Sequence, residues 1–306
     1  MKVIDAHVHL VQEIAGTGAA GELRPIGGGK AMYADGSVVT MIPPQFGEYQ
    51  VTPEAVIREM DANDVEKAVL LQGNYLGFQN LYAYEASQKY PERFISAASY
   101  DPFSRKKESI RSHLFEELKI GIVKFELSCG SGLMSNHFTL PLDGDIMAEE
   151  FDYCDAHQLI CVVDIGKMGS ESCQIPALRR VILRHPGMTF VVCHLMAPSR
   201  DQEEEMAAGL EQLHLPNVWF DLASLSHNVR PDLYPFPVTR RFAHRAMQIV
   251  GPDRLIFGTD LPTNLTRFTY RELIDCYAED PDLSQNEKQL ILYDNAYELF
   301  WSGSNR

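Results

Sequence analysis

Three short segments carry side chains that could do chemistry together. In Ile4-Asp5-Ala6-His7-Val8-His9-Leu10 two histidines stand two residues apart. On a strand, alternate side chains share a face, which puts the two rings about 7 Å apart at Cα and lets them share one metal ion. A second apolar run, Thr189-Phe190-Val191-Val192-Cys193-His194, ends in a histidine, and a third, Leu255-Ile256-Phe257-Gly258-Thr259-Asp260, ends in an aspartate. Each has a plain explanation: a solvated or core histidine, or an aspartate capping a turn beside Pro262. Their joint placement argues otherwise. In a parallel barrel the carboxyl ends of all strands lie at one pole, where active sites are assembled.

The elements that must position these residues follow from hydrophobic period. Short β-branched runs at 2–9, 67–72, 94–99, 121–127, 160–165, 189–194, 217–222 and 254–258 read as strands. They alternate with amphipathic segments near 53–63, 78–90, 105–118, 143–157, 175–184, 202–213, 239–250 and 270–280, and a last helix covers 284–300. Thr52-Pro53-Glu54 and Ser284-Gln285-Asn286-Glu287 carry helix-start chemistry. Eight βα repeats fit an α/β fold, a single (β/α)₈ barrel domain over 1–306. A doubly wound sheet shares the alternation, and the site residues at one pole favour the barrel. Residues 11–51 break the rhythm and are expected to form a long loop over the barrel mouth.

Composition narrows the partners. Hydrophobic residues make up 45% and charged residues 23% of 306, values that suit a globular protein with a sizeable core. The net charge of −15, from 42 acidic and 27 basic residues with no basic run, argues against nucleic acid or an anionic membrane and for a small-molecule substrate. No apolar stretch is long enough for a membrane span, and a strand starting at Val3 leaves no room for a signal peptide, so the chain reads as cytoplasmic. The six scattered cysteines read as free thiols. A homo-oligomer is neither required nor excluded.

The motifs Ile4-Asp5-Ala6-His7-Val8-His9, Phe190-Val191-Val192-Cys193-His194-Leu195 and Arg254-Leu255-Ile256-Phe257-Gly258-Thr259-Asp260-Leu261-Pro262, with the tail Ile291-Leu292-Tyr293-Asp294-Asn295-Ala296, together resemble the amidohydrolase superfamily. The resemblance is to its amidohydrolase-related branch, which includes aminocarboxymuconate-semialdehyde decarboxylase. It implies a divalent ion, zinc or manganese, on His7 and His9, with Asp260 a further ligand that also moves protons and His194 polarising or positioning the reacting oxygen. At the fifth strand that family presents a metal-binding histidine shortly before a glycine. Here the segment reads Cys161-Val162-Val163-Asp164-Ile165-Gly166. Asp164 is then the substitute oxygen ligand, or no metal is held at that position.

The fourth strand, Gly121-Ile122-Val123-Lys124-Phe125-Glu126, sets Lys124 and Glu126 on one face. Glu126 is an additional ligand candidate and Lys124 a substrate-carboxylate or bridging group; an ion pair inside the barrel is the alternative. Tyr75 and His227, with Gln72, Asn74, Tyr100, Asp101 and Ser224, follow other strands and are candidates for lining a pocket. The expected reaction is metal-assisted hydrolysis of an amide, ester or lactone. Non-oxidative decarboxylation of an unsaturated or aromatic acid, a metal-free lactonase, and a non-catalytic binding barrel are the rivals.

Overall fold

The computed structural model describes residues 1–302. Strand β1 (Val3–Val8) is followed by four short strands, β2 (Thr17–Gly18), β3 (Gly21–Gly27), β4 (Lys30–Tyr33) and β5 (Val38–Thr40). The remaining strands are β6 (Val65–Leu70), β7 (Phe94–Ser96), β8 (Ile122–Glu126), β9 (Ile160–Asp164), β10 (Phe190–Val192), β11 (Val218–Asp221) and β12 (Leu255–Ile256). Parallel pairing runs β1-β6-β7 and β8-β9-β10-β11-β12. Bridges Ala98↔Val123 and Val8↔Leu261 join the two sheets at both seams and close an eight-stranded barrel.

The barrel interior is filled by Ile4, Ala6, Val69, Leu71, Ala97, Ile122, Val162, Val191, Cys193 and Ile256. Ala296, Leu299 and Phe300 of the C-terminal helical segment plug its lower end. Apolar side chains of the opposite strand faces pack under the surrounding helices. Strands buried on both faces read as continuous apolar runs, which is why their sequence signal is strong. In β1 the register shifts between Asp5 and Val8, a bulge that lets His7 and His9 face inward above Ile4 and Ala6. In β8 the period of two is unbroken, and Ile122, Lys124 and Glu126 share the interior face.

Helix starts follow their chemistry. The Thr52 hydroxyl accepts from Ala55 N at 3.2 Å, and Ser284 with Glu287 forms a reciprocal cap. The 284–300 helix is interrupted by a π-helical turn at Leu290–Asp294. No helix among the described residues is long and apolar enough to cross a membrane, and all six cysteines are free.

Residues 11–51 are not an irregular loop at their centre. β2 to β5 form an antiparallel sheet; one face, with Leu23, Ala31, Tyr33 and Val39, packs on the core and the other is largely exposed, but each strand contributes too few apolar residues to reveal it. Its turn at Gly27-Gly28-Gly29 has positive φ throughout, and a Cβ on Gly29 would meet the Ile42 carbonyl at 1.8 Å. Thr17 N donates to Asn74 O and Ala19 N to Gly130 O, each at 3.0 Å, so the sheet docks on the loops after β6 and β8.

Asp5 ties the first strand to the last. Its fully buried carboxylate accepts four hydrogen bonds, from His7 N (3.1 Å), Thr259 N (2.9 Å), Thr259 Oγ1 (2.6 Å) and the Tyr270 hydroxyl (2.7 Å). Asp5→Asn keeps the shape but turns an NH₂ toward donors. The expected cost is about 1–3 kcal/mol in denaturant unfolding; unchanged stability would show that the network does not hold the seam.

Candidate active site

Protons on the two β1 histidines are fixed by what lies behind each ring. His7 Nδ1 donates to Asp221 Oδ2 at 3.0 Å, and His9 Nδ1 donates to the Leu71 carbonyl at 3.1 Å. Burial, helped by the nearby Lys124 charge, lowers the His7 pKa to about 4, and burial also lowers that of His9. Both rings are therefore neutral, with Nε2 unprotonated. His9 Nε2 lies 3.2 Å from Asp260 Oδ1, and His7 Nε2 lies 3.7 Å from the same oxygen. Three lone-pair acceptors thus converge, a contact that is repulsive unless a cation joins it. The fully buried Lys124 supplies one contact of that kind, its Nζ donating to His7 Nε2 at 3.1 Å.

Asp260 is held from the other side. Its backbone is left-handed (φ 58°), its N–H donates to His7 O at 2.9 Å, and its Oδ2 accepts the Ser224 hydroxyl at 2.5 Å. Ser224 Oγ accepts in turn from Asn264 Nδ2 at 2.7 Å. Burial disfavours the Asp260 carboxylate, and the nearby His194 imidazolium pulls its pKa down against that burial.

His194 opens a run of four left-handed residues, His194 to Ala197. Its N–H donates to Asp221 Oδ1 at 2.7 Å and its Nδ1 to Ala223 O at 2.8 Å, leaving Nε2 3.7 Å from Asp164 Oδ2. Burial opposes a charge here, but the carboxylates of Asp221, Asp164 and Asp260 raise the His194 pKa to about 10, so the ring is an imidazolium. Across the β8–β9 pair Glu126 stands in register with Asp164. Burial and Asp164 push the Glu126 pKa up against the pull of Lys124; its oxygens accept from Tyr75 N and Ser131 Oγ, each at 3.3 Å.

A cavity of about 570 Å³ opens over these groups, lined by His9, Lys124, Glu126, Asp164, His194 and Asp260, with Tyr75, Ser224 and His227 also on its wall. His7 is buried behind it. Gln72, Asn74, Tyr100 and Asp101 do not line it: Gln72 Oε1 accepts from Gln79 N, the Tyr100 hydroxyl donates to Glu150, and Asp101 pairs with His137. Two residues that motif reading passes over are Asp5 and Asp221. Trp219-Phe220-Asp221 ends an apolar strand as the Asp260 segment does, and that signal could have found it.

The ligand atoms of His7, His9 and Asp260 lie within 4.8 Å of one another, a donor set that suits a borderline divalent ion. The fit follows from the chemistry of the three groups, since their facing lone pairs share no proton. Asp164 and Glu126 lie outside this cluster, Asp164 facing His194 instead. A second cluster of His7, Cys193 and His194 is poorer, because burial holds the Cys193 thiol protonated and His194 is cationic.

None of the curated proteins matches the chain in sequence. Among solved structures, an amidohydrolase from Burkholderia multivorans with bound zinc is similar at TM-score 0.71 and 17% identity, over 97% of this chain and 98% of that one. A probable 2-pyrone-4,6-dicarboxylic acid hydrolase from Acinetobacter baumannii with citric acid bound gives TM-score 0.69 and 18% identity over 98% and 99%. The 2,6-dihydroxybenzoate decarboxylase from Rhizobium gives 0.56 and 14% over 80% and 87%. The family model described as amidohydrolase matches residues 4–301. With that match spanning the barrel from its first strand to its closing helix, the chain belongs to the amidohydrolase family.

Proposed function

We propose that this enzyme is a metal-dependent hydrolase that cleaves an amide, ester or lactone in a small carbonyl compound. The observation that carries the reading is the convergence of His7 Nε2, His9 Nε2 and Asp260 Oδ1, without a proton among them, at the base of the cavity. These three would hold the ion, zinc or manganese, with Asp164 and Glu126 on the adjacent wall. The ion would supply a Lewis acid that makes water nucleophilic at neutral pH and polarises a carbonyl oxygen.

The chain's own groups account for the rest. Asp260, an ionised carboxylate steadied by Ser224, takes a proton from the attacking water and returns it to the leaving group. The His194 imidazolium, held by Asp221 and Ala223 O, faces the oxygen on which negative charge develops. Lys124, Tyr75 and His227 are the proposed substrate contacts on the wall. Full-length similarity to a lactone-type hydrolase supports this reading, and the partial similarity to a decarboxylase supports a second. The protonated His194 favours that second reading, because decarboxylation needs an acid to protonate carbon.

Elemental analysis of the purified protein, followed by a screen of carbonyl substrates for acid release against carbon dioxide release, tests the proposal; an active protein free of divalent metal would overturn it. Asp260→Asn should lower kcat by about 10²- to 10⁴-fold, read beside metal content and thermal unfolding. Near-normal turnover with metal retained would remove Asp260 from the mechanism.

The β2–β5 sheet rests on loops that line the cavity, and we assign it the role of a cover over the mouth. Replacing the β3–β4 hairpin by a short turn should raise KM or abolish turnover while the barrel still unfolds cooperatively. Unchanged kinetics would refute the cover.

A further inference from the structure

Lys124 is an ammonium only 2% exposed inside the barrel, and no carboxylate oxygen among the described residues comes within 4.0 Å of its Nζ. Its hydrogen bond is to His7 Nε2, at 3.1 Å. That nitrogen has a single lone pair, because the other ring nitrogen already gives its proton to Asp221. A neutral imidazole cannot give one lone pair both to an ammonium and to a metal ion, and the two cations would repel each other in a buried site.

Resting on the metal-centre reading above, we propose that Lys124 and the divalent ion compete for His7, so that the ion binds only as the Lys124 ammonium swings away toward Glu126. The direction of the swing follows from the wall. Glu126 lies two residues along β8 on the same interior face, and its oxygens accept from the neutral donors Tyr75 N and Ser131 Oγ. Asp164, its register partner, already faces the His194 imidazolium. Glu126 is thus the carboxylate best placed to receive the displaced charge, and Lys124 then stands on the cavity wall, where an anionic substrate group can reach it. The lysine acts as a built-in competitor that weakens metal binding and links metal occupancy to the charge lining the pocket.

The test is calorimetric titration of Zn²⁺ and of Mn²⁺ into the metal-stripped full-length chain, with chelator competition for tight binding. Lys124→Met and Lys124→Gln, each checked for folding by near-UV circular dichroism, should bind at least tenfold more tightly than the wild type. Glu126→Gln, which leaves Lys124 intact but removes its acceptor, should bind at least threefold more weakly. Equal or weaker binding by folded Lys124 variants, beside a wild type that binds, overturns the competition and leaves the metal centre standing. Unchanged binding by Glu126→Gln overturns the proposed swing. Failure of the wild type and both lysine variants to bind either ion overturns the metal reading and this inference with it.

Discussion

The closure of the barrel between its first and last strands is the constraint on which the site depends. β12 has only two paired residues, and the seam is carried beyond it by main-chain bonds: Ala6 N to Phe257 O, Asp260 N to His7 O and His9 N to Leu261 O, each 2.9 Å. These bonds bracket the candidate site residues, so Asp260 is brought to His7 and His9 by the backbone rather than by long side chains. Gly258 is part of the same arrangement. A Cβ there would lie 2.8 Å from His7 Cβ, and any larger residue would push the seam apart at the histidine pair.

A second feature is where the backbone is strained. His194, Ser224 and Asp260 all adopt left-handed φ, and the run from His194 continues through Leu195, Met196 and Ala197. Such conformations cost about 1–2 kcal/mol per non-glycine residue, and they concentrate where side-chain direction matters more than stability. One buried carboxylate offsets part of that cost. Asp221 accepts the backbone N–H of His194 and of Ala223 on one oxygen and the His7 ring on the other. It sets the strained turn and the His7 tautomer together, so a change at Asp221 would disturb the His7 and His194 sides of the cavity at once.

The barrel is legible in the sequence because its strands are buried on both faces and so appear as unbroken apolar runs. The sites at their ends are legible for the same reason: His194 and Asp260 are conspicuous as polar residues closing apolar stretches. His7 and His9 share a face as their spacing predicts, although the Asp5–Val8 bulge that turns them inward with Ile4 and Ala6 has no sequence signature. Asp5 is hidden because its work is done by accepting backbone and hydroxyl protons, contacts that arise only after distant strands meet, whereas Asp221 closes an apolar stretch as Asp260 does and only its partners, His7 and His194, have no sequence signal. The sheet between Thr17 and Thr40 escapes detection because its dry face is assembled from one or two apolar residues per strand, Leu23, Ala31, Tyr33 and Val39, too few for a period of two to stand out in any one of them.

Charge balance in the pole explains why a divalent ion suits it. Asp164, Asp221 and Asp260 face two cations, Lys124 and the His194 imidazolium, and Glu126, whose pKa burial and Asp164 push up to about 7, adds a further negative charge when a cation draws near, so negative charge exceeds positive within the enclosed region. Unpaired buried charge is expensive, and the low dielectric that makes it so also strengthens whatever cation offsets it. With Glu126 ionised, a divalent ion restores neutrality only if Lys124 remains nearby after leaving His7. An ammonium that moved out to solvent would leave one negative charge unmatched, whereas one that moves to Glu126 lets the ion add to the existing charges instead of replacing one of them. The same balance opposes a purely apolar substrate: with the ion bound, a neutral carbonyl finds the His194 imidazolium and Lys124 within one cavity, both able to stabilise negative charge as it develops on oxygen.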